Sequence, residues 1–210
     1  MTTIIDFIRH GEPVGGRRYR GSGIDDPLSV LGWQQMWDNV GQRPGWQRII
    51  SSPLCRCHAF ATALASRQRV PLEIRTAFKE VSFGSWEGRS RSELRKQDPL
   101  AFKTFYQDPV QHRPPGAEAL VDFGQRIGHA YQRLLYDYPH QHLLVVAHSG
   151  VIRAAIGHIL QAPVQGWFRI RVDNGALTRI KHTGGNNLLY YHNLRYSSER
   201  TGCADQRGGS

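Results

Sequence analysis

Two histidines stand where apolar runs stop. Ile4-Ile5-Asp6-Phe7-Ile8 leads into Arg9-His10-Gly11-Glu12, and Leu143-Leu144-Val145-Val146-Ala147 leads into His148-Ser149-Gly150. Near neutral pH an imidazole can be a nucleophile, a base or a metal ligand. An arginine beside it suits a phosphate, because the guanidinium fork makes paired, charge-assisted bonds to oxyanions. Arg56 follows Ser51-Ser52-Pro53-Leu54, in the first turn of a predicted helix, where free amides and the helix dipole also favour an anion. The stretch Ala77–Gly88 adds Glu80 and Glu87, either of which can act as a proton donor. Phosphoryl transfer needs such a set: positioning, and neutralisation of charge on the equatorial oxygens. Two guanidiniums beside His10 also oppose its protonation, which keeps the imidazole able to attack.

The elements that must position these groups alternate between strand and helix. The runs before His10 and His148 are short and rich in branched aliphatics, as buried strands are. Trp46–Ser51 and Pro71–Ile74 read as two more strands. Ser29 is the expected N-cap of a helix carrying Leu31, Trp33, Met36, Trp37 and Val40. Further helices are expected over 53–67, in two pieces over 90–107 with a break near Pro99, over 117–136, and through Ile152, Ile156 and Leu160. The chain then turns β-like over Ala176–Lys181 and Leu188–His192, around Gly184-Gly185-Asn186. This order predicts a single-domain α/β fold of three layers, with a mostly parallel sheet flanked by helices. In such sheets ligands bind beyond the carboxyl ends of the strands, where both histidines fall. Residues 1–196 are read as the domain and 197–210 as a polar, disordered tail.

Composition narrows the functions. The 210 residues carry a formal net charge of +10, with 40% hydrophobic and 21% charged residues, which fits one soluble domain that attracts anions. The basic residues are scattered, with one cluster at Arg17-Arg18-Tyr19-Arg20, and scatter argues against a nucleic-acid stripe. No apolar run is long enough for a membrane span, and the first strand leaves no room for a signal peptide, so a cytoplasmic protein is expected. Cys55, Cys57 and Cys203 give no disulfide framework, and no arginine stands six positions after Cys55 or Cys57 to complete a cysteine-phosphatase loop. A P-loop, a dinucleotide fingerprint and a hydrolase nucleophile elbow are absent. His140-Gln141-His142 alternates like a metal pair but has no third ligand, so neither metal nor cofactor is expected.

Residues 4–12, 51–61, 78–88, 114–118 and 145–153 together resemble, in order, the histidine phosphatase superfamily, which includes cofactor-dependent phosphoglycerate mutase. The resemblance implies a phosphoglycerate mutase-like fold and a set of roles. His10 would take the phosphoryl group and become phosphohistidine. Arg9 and Arg56 would bind its oxygens, with His148 and the Ser149 amide. Glu80 would protonate the leaving oxygen and then deprotonate water. The short chain and Phe83-Gly84-Ser85-Trp86-Glu87-Gly88 are closer to the phosphatase branch than to the mutases, and the pattern is similar to α-ribazole phosphatase. The expected substrate is a small phosphomonoester, with α-ribazole 5′-phosphate the leading candidate. Mutase-type transfer is the nearest alternative, and a non-catalytic basic binding module on the same fold is the alternative of another class. Pro13 and Gly16 stand where relatives often carry polar residues, so Arg17 or Arg20 is expected at the substrate, as is Trp86. Glu118, in a Pro114-Pro115-Gly116-Ala117-Glu118 segment resembling the family's Gly-Gly-Glu, would reach the substrate, orient an active-site arginine, or start the helix. A homodimer is compatible with all of this.

Overall fold

A computed structural model describes residues 1–41 and 45–195; the expected tail lies outside the described residues. Six strands form one sheet: β1 (Thr2–Arg9), β2 (Arg48–Ser51), β3 (Leu72–Ile74), β4 (His142–Ala147), β5 (Leu177–Thr183) and β6 (Asn186–Leu194). Six α-helices flank it: α1 (Val30–Val40), α2 (Cys55–Gln68), α3 (Arg91–Gln97), α4 (Pro99–Gln107), α5 (Leu120–Asp137) and α6 (Ser149–Leu160). The strand order is β3-β2-β4-β1-β5-β6. The first four in that order run parallel, and β5 and β6 add an antiparallel hairpin.

The continuous apolar runs arise because the central strands are covered on both faces. Leu143, Val145 and Ala147 of β4 pack with Ile5, Phe7 and Ile50 under α5 and α6. Leu144 and Val146 point the other way, joining Ile8 and Ile49 under α1 and α2. Local signals set the helix ends. The Ser29 hydroxyl accepts the Gly32 amide at 3.0 Å, which caps α1. Ser90 and Glu93 form a reciprocal capping box on α3. Asp98 caps α4, whose first residue is Pro99, so the expected break falls there.

Several boundaries shift by one to three residues from the sequence reading, α2, β5 and β6 among them, and two shifts have a local cause. Strand β2 starts at Arg48 rather than Trp46, because the Trp46 indole leaves the strand line to donate to the buried Asp6 carboxylate at 2.8 Å. Helix α5 starts at Leu120 rather than 117, because Pro114–Gly116 form a tight turn closed by the Ala117 amide on the Pro114 carbonyl.

Candidate active site

The site follows from strand register. Strands β1 and β4 are parallel neighbours with Arg9 opposite Ala147. The His10 amide donates to the Ala147 carbonyl at 2.9 Å, so the next residues on the two strands, His10 and His148, emerge side by side. Their rings meet edge-on, with centroids 5.2 Å apart. Gly11 and Gly32 let the loop after His10 lie on α1: a β-carbon on Gly11 would stand 2.0 Å from the Gly32 carbonyl oxygen.

His10 is buried yet lines an open cavity of about 820 Å³. Its Nδ1 lies 2.7 Å from the Gly11 carbonyl. A carbonyl only accepts, so Nδ1 carries the proton and Nε2 keeps its lone pair. Burial, then the charges of Arg56 and Arg9, hold the imidazole well below its usual pKa, so the ring is neutral. His148 is fully buried beneath it and does not line the cavity. Its Nε2 is bonded to the Ser52 hydroxyl at 2.8 Å, and the Cys57 thiol packs against the ring. Burial, then Arg56 and His10, keep His148 neutral as well.

The two arginines are anchored so that part of each fork stays unused. Arg56 gives its Nη groups to the Ile24 and Gly21 carbonyls, each at 2.8 Å, and Arg9 gives Nη1 to the Val172 carbonyl at 2.7 Å. The Nε–H groups of both are buried with no partner. An unsatisfied buried donor carries a desolvation cost of about 1–3 kcal/mol, and both arginines line the cavity. Burial, then the nearby Arg153, push the Arg9 pKa down to about 10, which leaves it a cation at neutral pH.

Glu80 settles the choice between the two candidate acids. It lines the cavity; its Oε2 accepts from the Ser149 hydroxyl at 3.2 Å and the Gly150 amide at 3.1 Å, and its Oε1 accepts from the Val81 amide at 3.0 Å. Glu87 faces away from the cavity and ties the Gly23 and Phe83 amides and the Ser82 hydroxyl together. Two arginines brace the Glu80 loop from behind. Arg126 donates to the Ala77 carbonyl at 2.6 Å and to the Lys79 carbonyl at 3.1 Å, and Arg113 donates to the Ser82 carbonyl at 2.5 Å.

Four residues expected at the substrate take different places. Arg17 and Arg20 line the cavity, Arg17 from an exposed position. Arg20 is buried and also holds its own loop through Asp26 and the Val14 and Gly16 carbonyls. Trp86 does not reach the cavity: its indole packs behind the wall against Tyr19, Phe102 and Phe105, because that aromatic cluster buries more of it than the rim would. Glu118 does not reach it either. Its carboxylate binds the Arg126 fork at 2.9 Å, so it supports the brace on the Glu80 loop.

Sequence reasoning missed part of the charge around the cavity, four of its arginines. Nine arginines reach it, among them Arg91, Arg153, Arg171 and Arg195, against the carboxylates Glu12, Glu80 and Asp173. Arg153 had a readable signal: it stands four residues after Ser149 on α6, hence on the same helix face. The others come from segments with no motif. His142 is bonded to Asp6, and no group of three metal-ligating side chains occurs among the described residues.

Known proteins resemble this chain in sequence and in fold. The bifunctional protein Rv2228c of Mycobacterium tuberculosis is 29% identical over 176 residues, which is 82% of this chain and 48% of that protein. The chain therefore spans about half the length of that relative. An adenosylcobalamin/alpha-ribazole phosphatase of Escherichia coli is 27% identical over 177 residues, covering 83% of this chain and 87% of the relative. A mycobacterial glucosyl-3-phosphoglycerate phosphatase solved with inorganic phosphate superposes with a TM-score of 0.80 at 25% identity, covering 91% of this chain and 97% of that one. The histidine phosphatase superfamily (branch 1) profile matches residues 5–195, the span that carries β1, both histidines and the cavity walls, and the chain belongs to that family.

Proposed function

We propose that this chain is a metal-independent phosphomonoesterase that works through a phosphohistidine on His10. One observation carries the reading. A buried, neutral His10 offers its Nε2 lone pair to a cavity where two anchored guanidiniums hold unpartnered N–H groups. In the first step Nε2 bonds to phosphorus and the ester P–O bond breaks. Arg9 and Arg56 neutralise the equatorial oxygens, which is most of the catalysis such a transfer needs. The Ser149 amide, at the N-terminus of α6, adds a donor, and His148, packed edge-on against His10 and bonded to the Ser52 hydroxyl, supports the nucleophile from outside the cavity. Glu80 gives its proton to the leaving oxygen. In the second step Glu80 takes a proton from water, the oxygen of that water bonds to phosphorus, and the P–N bond breaks. Phosphate leaves, and His10 and Glu80 return to their starting states.

The substrate is a small phosphorylated metabolite. α-Ribazole 5′-phosphate heads the panel because a phosphatase named for α-ribazole matches 83% of this chain. The test is hydrolysis of p-nitrophenyl phosphate in EDTA by wild type and His10→Ala. Turnover lost at least ~10³-fold in the variant is expected for a covalent nucleophile. Equal activity would remove His10 from the chemistry. An inactive wild type that still moves phosphate within a phosphoglycerate when primed with a bisphosphate would make the chain a mutase. Salt-dependent nucleic-acid binding that survives His10→Ala would make it a binding module.

A further inference from the structure

The cavity has a second wall that the phosphoryl chemistry does not use. Arg153 lies one turn along α6 from Ser149 and on the same face, so it looks into the cavity beside the phosphoryl site. Its Nε donates to the Ile170 carbonyl at 2.8 Å, and its guanidinium sits 5.4 Å from the Phe168 ring centroid. These contacts hold the guanidinium in place at the cavity wall. Arg91, the first residue of α3, approaches from the other side, 4.8 Å above the Tyr106 ring. The Tyr106 and Tyr19 hydroxyls meet at 2.5 Å in the same wall.

The pairing of charges sets these two arginines apart. Arg18 and Arg20 share Asp26, and Arg171 has Asp173. Among the described residues neither Arg91 nor Arg153 has a carboxylate within ion-pair distance. Burial lowers the Arg153 pKa, and the charge of Arg91 lowers it further, against the opposing charge of Glu80. Two cations on one cavity, with Glu80 near but no carboxylate in ion-pair contact with either, favour the arrival of an anion. The phosphoryl group cannot serve both ends, because Arg9 and Arg56 already hold its place at His10.

Given the phosphomonoesterase reading, we infer that Arg153 and Arg91 form a second anion subsite, so the physiological substrate is a phosphomonoester whose leaving group carries its own carboxylate or phosphate. On this inference α-ribazole 5′-phosphate, which heads the panel on the likeness to a named relative alone, gives way to an acidic substrate, because a neutral leaving group leaves this wall unmatched. An acidic one fills it and is held by both ends.

Phosphonates test the subsite without chemistry. Calorimetric binding of alkylphosphonates of two to five carbons is compared with that of ω-carboxy- and ω-phosphono-alkylphosphonates of the same lengths. At the best length the ω-anion is expected to tighten binding about tenfold or more, the scale of one charge-assisted hydrogen bond. R153Q and R91Q should each bring that ratio toward one. Arg91 is exposed, so R91Q remains informative if R153Q does not fold. The two ω-groups separate a carboxylate subsite from a phosphate subsite. Equal binding with and without the ω-anion at every length overturns the subsite, as does a ratio that survives in both folded variants. A tight ω-anion effect in a wild type unable to cleave either p-nitrophenyl phosphate or an ω-carboxyalkyl phosphate sustains the subsite and sinks the phosphatase reading instead.

Discussion

At His10 a single bond decides which nitrogen reacts. The Gly11 carbonyl accepts a bond from Nδ1–H at 2.7 Å, so Nε2 keeps the lone pair for the proposed attack and the tautomer is set before substrate arrives. Glu80 is the other residue whose chemistry is specific. Its Oε2 sits on the Ser149 hydroxyl and Gly150 amide, one residue past His148, so the acid and the nucleophile share a frame built by β4 and α6. Glu80→Gln keeps the size and most of these contacts but cannot give up or take a proton in the same way. The step that suffers depends on the leaving group. An alkyl ester needs a proton in the transition state, whereas p-nitrophenolate leaves without one. Glu80→Gln is therefore expected to lower kcat/KM for alkyl phosphates by ~10²–10⁴-fold. Phosphoenzyme formation from p-nitrophenyl phosphate should fall far less in rapid-quench experiments. Equal losses on both esters would take the acid role from Glu80.

Helix α6 joins packing to chemistry at the scale of one element. Its first residues carry the amide donors, its inner face is core, and Gly150 is where the two demands meet. A β-carbon there would stand 2.2 Å from Glu80 Oε1. Gly150 is the second residue of α6, where alanine gains at most about 1 kcal/mol over glycine, while the displaced carboxylate gives up bonds worth a similar amount. Gly150→Ala should thus melt close to wild type yet lose ~10²-fold in kcat on an alkyl phosphate, the usual cost of a catalytic group moved by about 1 Å. Thermal melts beside initial rates check this, and full activity would show that Glu80 need not sit where the helix start holds it. Elements like α6 were readable because their signals are local. The run Leu143–Ala147 ends at His148 in sequence as in space, Ser29 caps α1, and Pro99 divides α3 from α4. The core of the site was readable for the same reason: His10, His148 and Arg56 each sit at an element end. The cavity's outer wall was not, because Arg91, Arg171 and Arg195 come together only through tertiary packing of three separate segments. Trp86 misled because an aromatic beside a catalytic loop looks the same in sequence whether it faces the cavity or the core.

The whole molecule keeps ionisable groups under its sheet and behind its site, and that makes its stability depend on pH in a definite direction. Asp6, fully buried in β1, takes a two-pronged bond from Arg179 at 2.7 and 2.8 Å, with Trp46 and His142 on the same carboxylate. Burial alone would raise its pKa, but these partners outweigh burial and hold it at about 2. Its folded pKa is below the unfolded value of 3.8, so its contribution is whole above pH 4 and fades as pH falls toward 2. That contribution is about 2 kcal/mol. His10 and His148 act at higher pH. Their folded pKa values lie well below 6.5, so below that pH the unfolded chain gains protons that the folded chain refuses. Each buried histidine then removes up to about 1.4 kcal/mol of stability per pH unit. Acid should therefore act in two stages, with the first beginning near pH 6.5 and the Asp6 stage below pH 4. Urea midpoints measured from pH 8 to pH 3 should fall from pH 7 to pH 5 in wild type. His10→Gln should flatten part of that fall without altering the decline below pH 4. A wild-type midpoint constant from pH 7 to pH 5 would mean that His10 and His148 take up protons in the folded protein as readily as in the unfolded chain. A positively charged His10 has no lone pair with which to attack, so the same curve bears on the chemistry.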